Sequence, residues 1–380
     1  MKIKTITCQH VYNYGASLQA YALQHYLERL NNEVEIIQFV PWYHHRYELF
    51  HVEKNSKYYS ITKHNPILKI AYCLLKNTRQ LITWKRKISF DNFDKNFLRL
   101  TKEKYENSAS IKQNPPEADL YIAGSDQIWN TDCLNGREPA YYLDFGRQVY
   151  KASYAASFGT SEIQDDAKDS VKAFINKLDR ISVREDSGKK ILEDLGFENV
   201  TKVVDPVFLL NQNEWKTLSR KARKYNIKDK YLFLYNFIDD PRIRNFSILV
   251  AKRMQLKIVS VNDFRKIDYA DYNVNDAGPL EFIELLSGAE MVIANSFHAT
   301  AFSVIFHKPF FSFPLACQKN SSRMTDFLNQ LGLLNHFNPN AYIDSLIEYD
   351  WVQKKLDAEI EESKEYLNEI LESARRSYAV

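Results

Sequence analysis

Residues 2–39 read KIKTITCQHVYNYGASLQAYALQHYLERLNNEVEIIQF, and they decide the fold class. KIKTIT predicts a short strand. Residues 10–17 form a loop, and Ala20, Leu23, Leu27 and Leu30 then recur at helical spacing, predicting a helix from about 18 to 30. Residues 34–39 predict a second strand. Strand, loop, helix and strand in that order begin a wound α/β sheet. Residues 41–105 interrupt the rhythm. It resumes with strands expected at 119–123, 149–156, 181–184 and 200–204, the last stopped by Asp205-Pro206. Helices are expected near 162–177 and at 186–195. After Leu210 a second α/β series begins, with strands at 231–235, 257–261, 291–294 and 309–313 and helices at 241–254, 279–286, 299–306 and 322–331. A long, mostly polar helix over 351–376 closes the chain. The expected architecture is two Rossmann-type parallel-sheet halves facing a cleft, over 1–210 and 211–345, followed by a C-terminal helix over 346–380.

Composition narrows the function classes. At 380 residues the chain has room for two domains, and 45% apolar with 26% charged residues supplies a real core. A net charge of +3 argues against a nucleic-acid binder. Neither a G-x-G-x-x-G nor a G-x-x-x-x-G-K-[ST] motif is present, so a dinucleotide fingerprint and a P-loop are excluded. Cys8, Cys73, Cys133 and Cys317 lie far apart, which reads as reduced cysteine usage and no zinc site. The N-terminus lacks the apolar core of a signal peptide, and no apolar run is long enough to span a bilayer. A cytoplasmic protein is expected.

The interrupting segment predicts one helix over 66–89, with an apolar stripe among basic residues and the cluster WKRK at 84–87. A solvated helix packed on the domain is the plain reading. The sharper one is peripheral contact with anionic lipid at the inner face of the membrane.

In wound sheets ligands sit beyond the carboxyl ends of strands, and the candidate chemistry falls there. In the first loop Asn13, Tyr14, Gly15, Ser17 and Gln19 offer hydroxyl-binding groups and a glycine that permits close backbone approach. The alternative is that Asn13 and Gly15 only shape a turn. In residues 124–130, Ser125, Asp126 and Gln127 mix donors and acceptors, and Trp129 offers an aromatic face or a core residue. Arg184 ends an apolar strand, where it either forks onto a carboxylate or phosphate or pairs with an acid such as Glu185 or Asp186. In residues 292–300 His298 opens a helix after a buried strand. Backbone N–H groups around Ser296, Ala299 and Thr300 suit phosphate there, and the imidazole is either a proton donor or a core histidine.

Six segments carry a resemblance. NYGASLQAYAL (13–23), AGSDQIWN (123–130), YYLDF followed by KASYAASFG (141–159), SVREDSG (182–188), VVDPVFLL (203–210) and NSFHATAFSVIFHKPF (295–310) together resemble the polysaccharide pyruvyl transferase family. The likeness covers most of the chain and is weakest over 41–105. It implies a GT-B architecture. The implied reaction transfers the enolpyruvyl unit of phosphoenolpyruvate to a sugar hydroxyl pair as a pyruvate ketal, releasing phosphate. A lipid-linked or free precursor of capsule, exopolysaccharide or cell-wall polymer is the implied acceptor. By the same resemblance His298 is the catalytic residue and Arg184 binds the donor. Many members carry Arg two positions before the histidine, where this chain has Ser296. Lys319 and Arg323 are downstream candidates for the missing cation. Asn13 to Gln19 and Ser125 to Trp129 fall to the acceptor side. No cofactor or metal is expected. A GT-B glycosyltransferase using a sugar nucleotide and a non-catalytic carbohydrate-binding scaffold remain as alternatives, and the oligomeric state is not readable.

Overall fold

The computed structural model describes residues 1–44, 61, 63, 65–76, 78–237, 239–262, 265–315, 322–341 and 346–378. Lys319 and Cys317 lie outside them. The chain opens with β1 (Lys2–Ile6), α1 (Tyr14–Arg29) and β2 (Glu33–Phe39). Three helices follow, α2 (Pro66–Lys76), α3 (Thr78–Ile82) and α4 (Trp84–Phe97), and then β3 (Leu100–Tyr105), α5 (Ser108–Gln113) and β4 (Leu120–Ala123). Next come β5 (Tyr150–Ser153), α6 (Asp165–Ile175), β6 (Ile181–Val183), α7 (Asp186–Asp194) and β7 (Val200–Lys202). The second series runs α8 (Gln212–Ser219), β8 (Tyr231–Tyr235), α9 (Pro241–Met254), β9 (Lys257–Val261), β10 (Tyr272–Val274), α10 (Pro279–Gly288), β11 (Met291–Ala294), α11 (Phe297–Ile305) and β12 (Phe310–Ser312). It ends with α12 (Ser322–Gln330) and α13 (Tyr349–Tyr378).

The first sheet has the order β3-β2-β1-β4-β5, and the second repeats it as β10-β9-β8-β11-β12. Every pairing in both is parallel. Single bridges from Ala152 and Ala156 join β5 to the small β6-β7 pair. The central strands β4, β8 and β11 are buried along their whole length, as strands covered by helices on both faces must be. Both sheets change winding direction at one crevice, between β1 and β4 in the first and between β8 and β11 in the second.

Helix α1 begins four residues earlier than the apolar spacing alone predicts. Asn13 is extended, and its side chain accepts from the backbone N–H groups of Gly15 and Ala16, the bonds of an N-cap. This helix joins the halves. Tyr14 stacks on Phe282 with centroids 4.5 Å apart and donates its hydroxyl to the Ala277 carbonyl at 3.3 Å. One apolar cluster therefore runs from Tyr14, Leu18 and Ala22 into Phe233, Phe282 and Phe302. Helix α13 spans the same junction. Val352 and Leu356 pack into that cluster, while Leu367, Ile370 and Leu371 pack against Ile3, Leu23 and Leu27.

The single helix expected over 66–89 is three helices. The basic cluster at its end is divided: Trp84 and Lys85 are exposed, whereas Arg86 and Lys87 are tied to the domain. Arg86 is buried, donates to the Tyr12 carbonyl at 2.8 Å and lies over the rings of Tyr14 and Phe90. Lys87 pairs with Asp91. Among the described residues no helix is long and apolar enough to cross a membrane.

Candidate functional site

A cavity of about 300 Å³ opens where the two crevices meet. Its walls come from the carboxyl ends of the four strands flanking them: Cys8, Val11 and Asn13 after β1, Asp126 and Gln127 after β4, Tyr235 and Phe237 at β8, and Asn295 to His298 after β11. This is where a doubly wound sheet offers backbone donors and loop side chains to a ligand. Arg323 and Met324 of α12 complete one side.

His298 sits in the first turn of α11. The Ser296 side chain does not cap that helix, and its positive end lies at the cavity that Ser296, Phe297 and His298 line. The imidazole is buried against Gly15. A Cβ at Gly15 would fall 2.0 Å from Nδ1 and 2.3 Å from Cγ. Gly15 thus permits a close approach, but the group that approaches is the His298 ring rather than a ligand. On the other side His298 Nε2 lies 3.5 Å from Asp205 Oδ2. That is an ion-pair distance, longer than an ordinary hydrogen bond, and among the described residues Nε2 has no hydrogen-bond partner.

Asp205 is the hub of the site. It is fully buried, and Oδ1 accepts from the Val207 N–H at 3.1 Å. Oδ2 accepts from Arg184 Nη1 and from Ser125 Oγ at 3.4 Å. Burial pushes its carboxyl up, but His298 and Arg184 outweigh burial and hold it well below the usual carboxylate range. Burial likewise raises Asp126, and Arg184, His298 and Arg323 together pull it below its ordinary value. Arg184 bonds Asp205 through Nη1, while Nε and Nη2 find no hydrogen-bond partner among the described residues. Beyond Asp205, Nη2 is 3.5 Å from Asp126 and Nε is 3.8 Å from Glu185. Glu185 accepts in turn from Ser157 Oγ and the N–H groups of Phe158 and Gly159. The Arg184 side chain is 3% exposed and lies behind the wall rather than in it, where it matches the plainer alternative, pairing with an acid. Arg323 is the guanidinium that lines the cavity, 3.8 Å from Asp126 Oδ1. Burial, followed by repulsion from Arg184, lowers it to about 10, still charged at neutral pH. Both guanidiniums lie over the Phe297 ring.

Of the residues singled out in the sequence, Asn13, Asp126, Gln127, Ser296, His298 and Arg323 line the cavity together. Others are structural. Trp129 offers no face to a sugar: it is fully buried, donates to the Tyr141 carbonyl at 3.1 Å and stacks on Tyr142. Tyr14 is spent on the junction between halves. Gln19 is buried and holds the second loop, donating to Thr7 and accepting from the Ser125 N–H at 3.2 Å. Ser17 and Ser125 are also fully buried, the latter donating to the Ala155 carbonyl. Ala299 and Thr300 are buried in α11, Thr300 bonding the Ser296 carbonyl and Ser312. The sequence reading missed Asp205, taking Asp-Pro only as a strand stop. Its signal is an acid just past a strand end, the same kind of position that singles out Arg184 one strand away. Among the described residues no group of three or more His, Cys, Asp or Glu side chains could hold a metal ion.

Comparison with known proteins shows the fold and the family. The wall teichoic acid polymerase TagF is similar over 99% of this chain and 89% of its own, at 12% identity and a TM-score of 0.51. UDP-N-acetylglucosamine 2-epimerase from Rickettsia bellii is similar over 99% and 97% of the two chains, at 11% identity and a TM-score of 0.49. These neighbours are GT-B enzymes, and the likeness to TagF shows that fold. No curated protein sequence matches the chain. The sequence model of the polysaccharide pyruvyl transferase family matches residues 13–315, from the Asn13 cap through the His298 helix to the cavity wall at Leu315, and the chain belongs to that family.

Proposed function

We propose that the protein transfers the enolpyruvyl unit of phosphoenolpyruvate to two hydroxyls of a surface-polysaccharide precursor, forming a pyruvate ketal and releasing phosphate. The observation that carries this reading is His298. A histidine in the first turn of an uncapped helix, 3.5 Å from an ionised and fully buried Asp205, lines a cavity together with Arg323. In this reading the helix N-terminus and Arg323 receive the donor's anionic groups. Arg323 supplies the positive charge that Ser296 does not. His298 protonates the methylene carbon, which becomes the methyl group, and the cationic centre formed is attacked by a sugar hydroxyl. Phosphate then leaves as the second hydroxyl closes the ketal, and the two hydroxyl protons pass to the departing phosphate and back to the histidine. Asp205, ionised and buried, stands beside the imidazole throughout.

The test replaces His298 by Gln. The variant should fold and retain much of its phosphoenolpyruvate binding in a thermal-shift titration. Pyruvate on the host's surface polysaccharide, read by mass spectrometry after complementing a deletion, should fall with a turnover about 100-fold lower. Near-wild-type pyruvylation by folded His298→Gln would falsify the assignment. A thermal response to sugar nucleotides and none to phosphoenolpyruvate would favour a glycosyltransferase instead.

A further inference from the structure

Between Ile61 and Phe90 the sequence holds seven Lys and Arg residues and no Asp or Glu. The helices in this stretch face the wrong way for an ordinary surface. At 3.6 residues per turn, Ile70, Leu74, Ile67, Ala71, Leu75 and Leu68 follow one another around a single arc of about 160° on α2, and all six are exposed. Ile67 and Leu75 are 76% and 77% exposed. The buried side chain of α2 is Cys73, on the opposite side. The apolar series continues through Leu81, Ile82, Trp84 and Ile88, again exposed. A surface helix of a globular protein normally turns this face inward, and apolar exposure on such a scale marks an interaction site.

We propose that the outer face of α2 to α4 docks in the plane of an anionic lipid surface. Charge selects this occupant. Lys63 and Lys85 are exposed, Lys69 half-exposed, and no acid in the stretch offsets them, the pattern of an interfacial helix on anionic headgroups. A second copy seated on the same face would bring two uncompensated basic surfaces together. The face is tied to the catalytic cavity. Arg86 on α4 holds the Tyr12 carbonyl, next to the Asn13 cap, and Ser89 Oγ donates to the Asp276 carbonyl at 2.9 Å. Docking therefore presents the cavity near the lipid surface. The use of that placement, delivery of a lipid-linked acceptor, rests on the pyruvyl-transfer reading. The docking does not.

The test is flotation of the full chain with phosphatidylcholine vesicles, with and without about 30% phosphatidylglycerol, at low and high salt. Wild type should float with the anionic vesicles at low salt and far less at high salt. Lys69→Gln with Lys85→Gln should lower partitioning by roughly 25-fold, about fivefold per lysine. Ile67→Ser with Leu75→Ser should lower it by roughly tenfold or more. These side chains are exposed, so both variants should melt as wild type does. The proposal is overturned if wild type ignores anionic vesicles or if neither double variant changes flotation. It is equally overturned if the apolar variant instead dissolves a dimer seen by light scattering in a protein that does not float. Neither donor nor acceptor is present, so failure here and failure of the catalytic reading are separate results.

Discussion

Gly15→Ala should abolish most activity without unfolding the protein. The added methyl would sit 2.0 Å from His298 Nδ1, 2.3 Å from Cγ and 2.6 Å from Cε1. Non-bonded carbons settle at about 3.5–4.0 Å, so the ring or the start of α1 must retreat by roughly 1.5 Å. The ring has little room. Asp205 stands 3.5 Å from its far nitrogen, and the Phe297 ring lies edge-on to it at 5.3 Å. Helix α1 is held by its Asn13 cap and by the Tyr14 stack. Displacing a reacting group by about 1 Å can cost about 100-fold, so turnover should fall about as far as in His298→Gln. Stability should move little, because Ala is favoured over Gly inside a helix by about 1 kcal/mol and offsets part of the strain. The assay pairs a thermal melt with mass spectrometry of the pyruvylated polysaccharide in a complemented deletion strain. A folded Gly15→Ala protein with near-wild-type pyruvylation would show that the position of the His298 ring is not what the reaction depends on.

Asp205→Asn leaves Arg184 without its nearest carboxylate and should cost roughly 3 kcal/mol or more in chemical denaturation; a loss under 1 kcal/mol would remove Asp205 as the hub. The folded-state carboxyls of Asp205 and Asp126 titrate below their unfolded values. The stability they contribute is therefore complete above about pH 5 and lost as pH falls through 4 and below, and the acid side of the melting curve should be flatter in Asp205→Asn. Arg323→Ala should weaken phosphoenolpyruvate binding by roughly 10- to 100-fold, whereas Arg184→Lys should leave binding within a few-fold and lower the melting temperature; calorimetric titrations with the reverse ranking would put Arg184 on the donor. Burial, with Asp91 nearby, pushes Asp94 up to about 8, so the folded state holds a proton that the unfolded chain gives up above about pH 4. Stability falls as pH rises from 4 to 8 on this account, and Asp94→Asn should match or exceed the wild-type melting temperature at pH 7. A clear drop would mean that the carboxyl is ionised and paired with His10, 4.0 Å away.

The central strands were legible because burial on both faces writes them as unbroken apolar runs, such as YLFLY of β8 and MVIA of β11. The edge strand β3 was not, because LTKEKY leaves Lys102, Glu103 and Lys104 in solvent and reads as polar loop. The edge strand β10 was missed as well, because YNV buries only Val274 and lies within the polar run DYADYNVND. Helix α8 did carry a signal, the reciprocal Asn211 and Glu214 capping box, which apolar spacing alone overlooks. Within the site, strand-end position found His298, Asn13, Asp126 and Gln127, because the fold sends every such loop to the crevice. It could not tell which side chains turn inward. Trp129 and Gln127 are two residues apart on one loop, yet one is core and the other cavity wall. An indole favours the core and an amide the wall, but which of them faces the cavity is decided by packing.

Arg184 shows why a buried cation belongs behind such a cavity. Asp205 is held ionised, yet it is fully buried, and burial alone would protonate it. The charge of His298 cannot be the sole remedy, since a histidine that delivers its proton becomes neutral during turnover. Arg184 does not titrate in the working range. Its contact with Asp205 therefore keeps that carboxylate ionised whether or not His298 carries a proton. The same guanidinium lies over Phe297 and 3.5 Å from Asp126, leaving Arg323 as the described guanidinium that faces the cavity. In the proposed reaction one arginine holds Asp205 ionised and the other receives the donor's anion. On the proposed reading, a chain with Ser296 in place of an arginine keeps the chemistry by drawing its donor-side charge from α12.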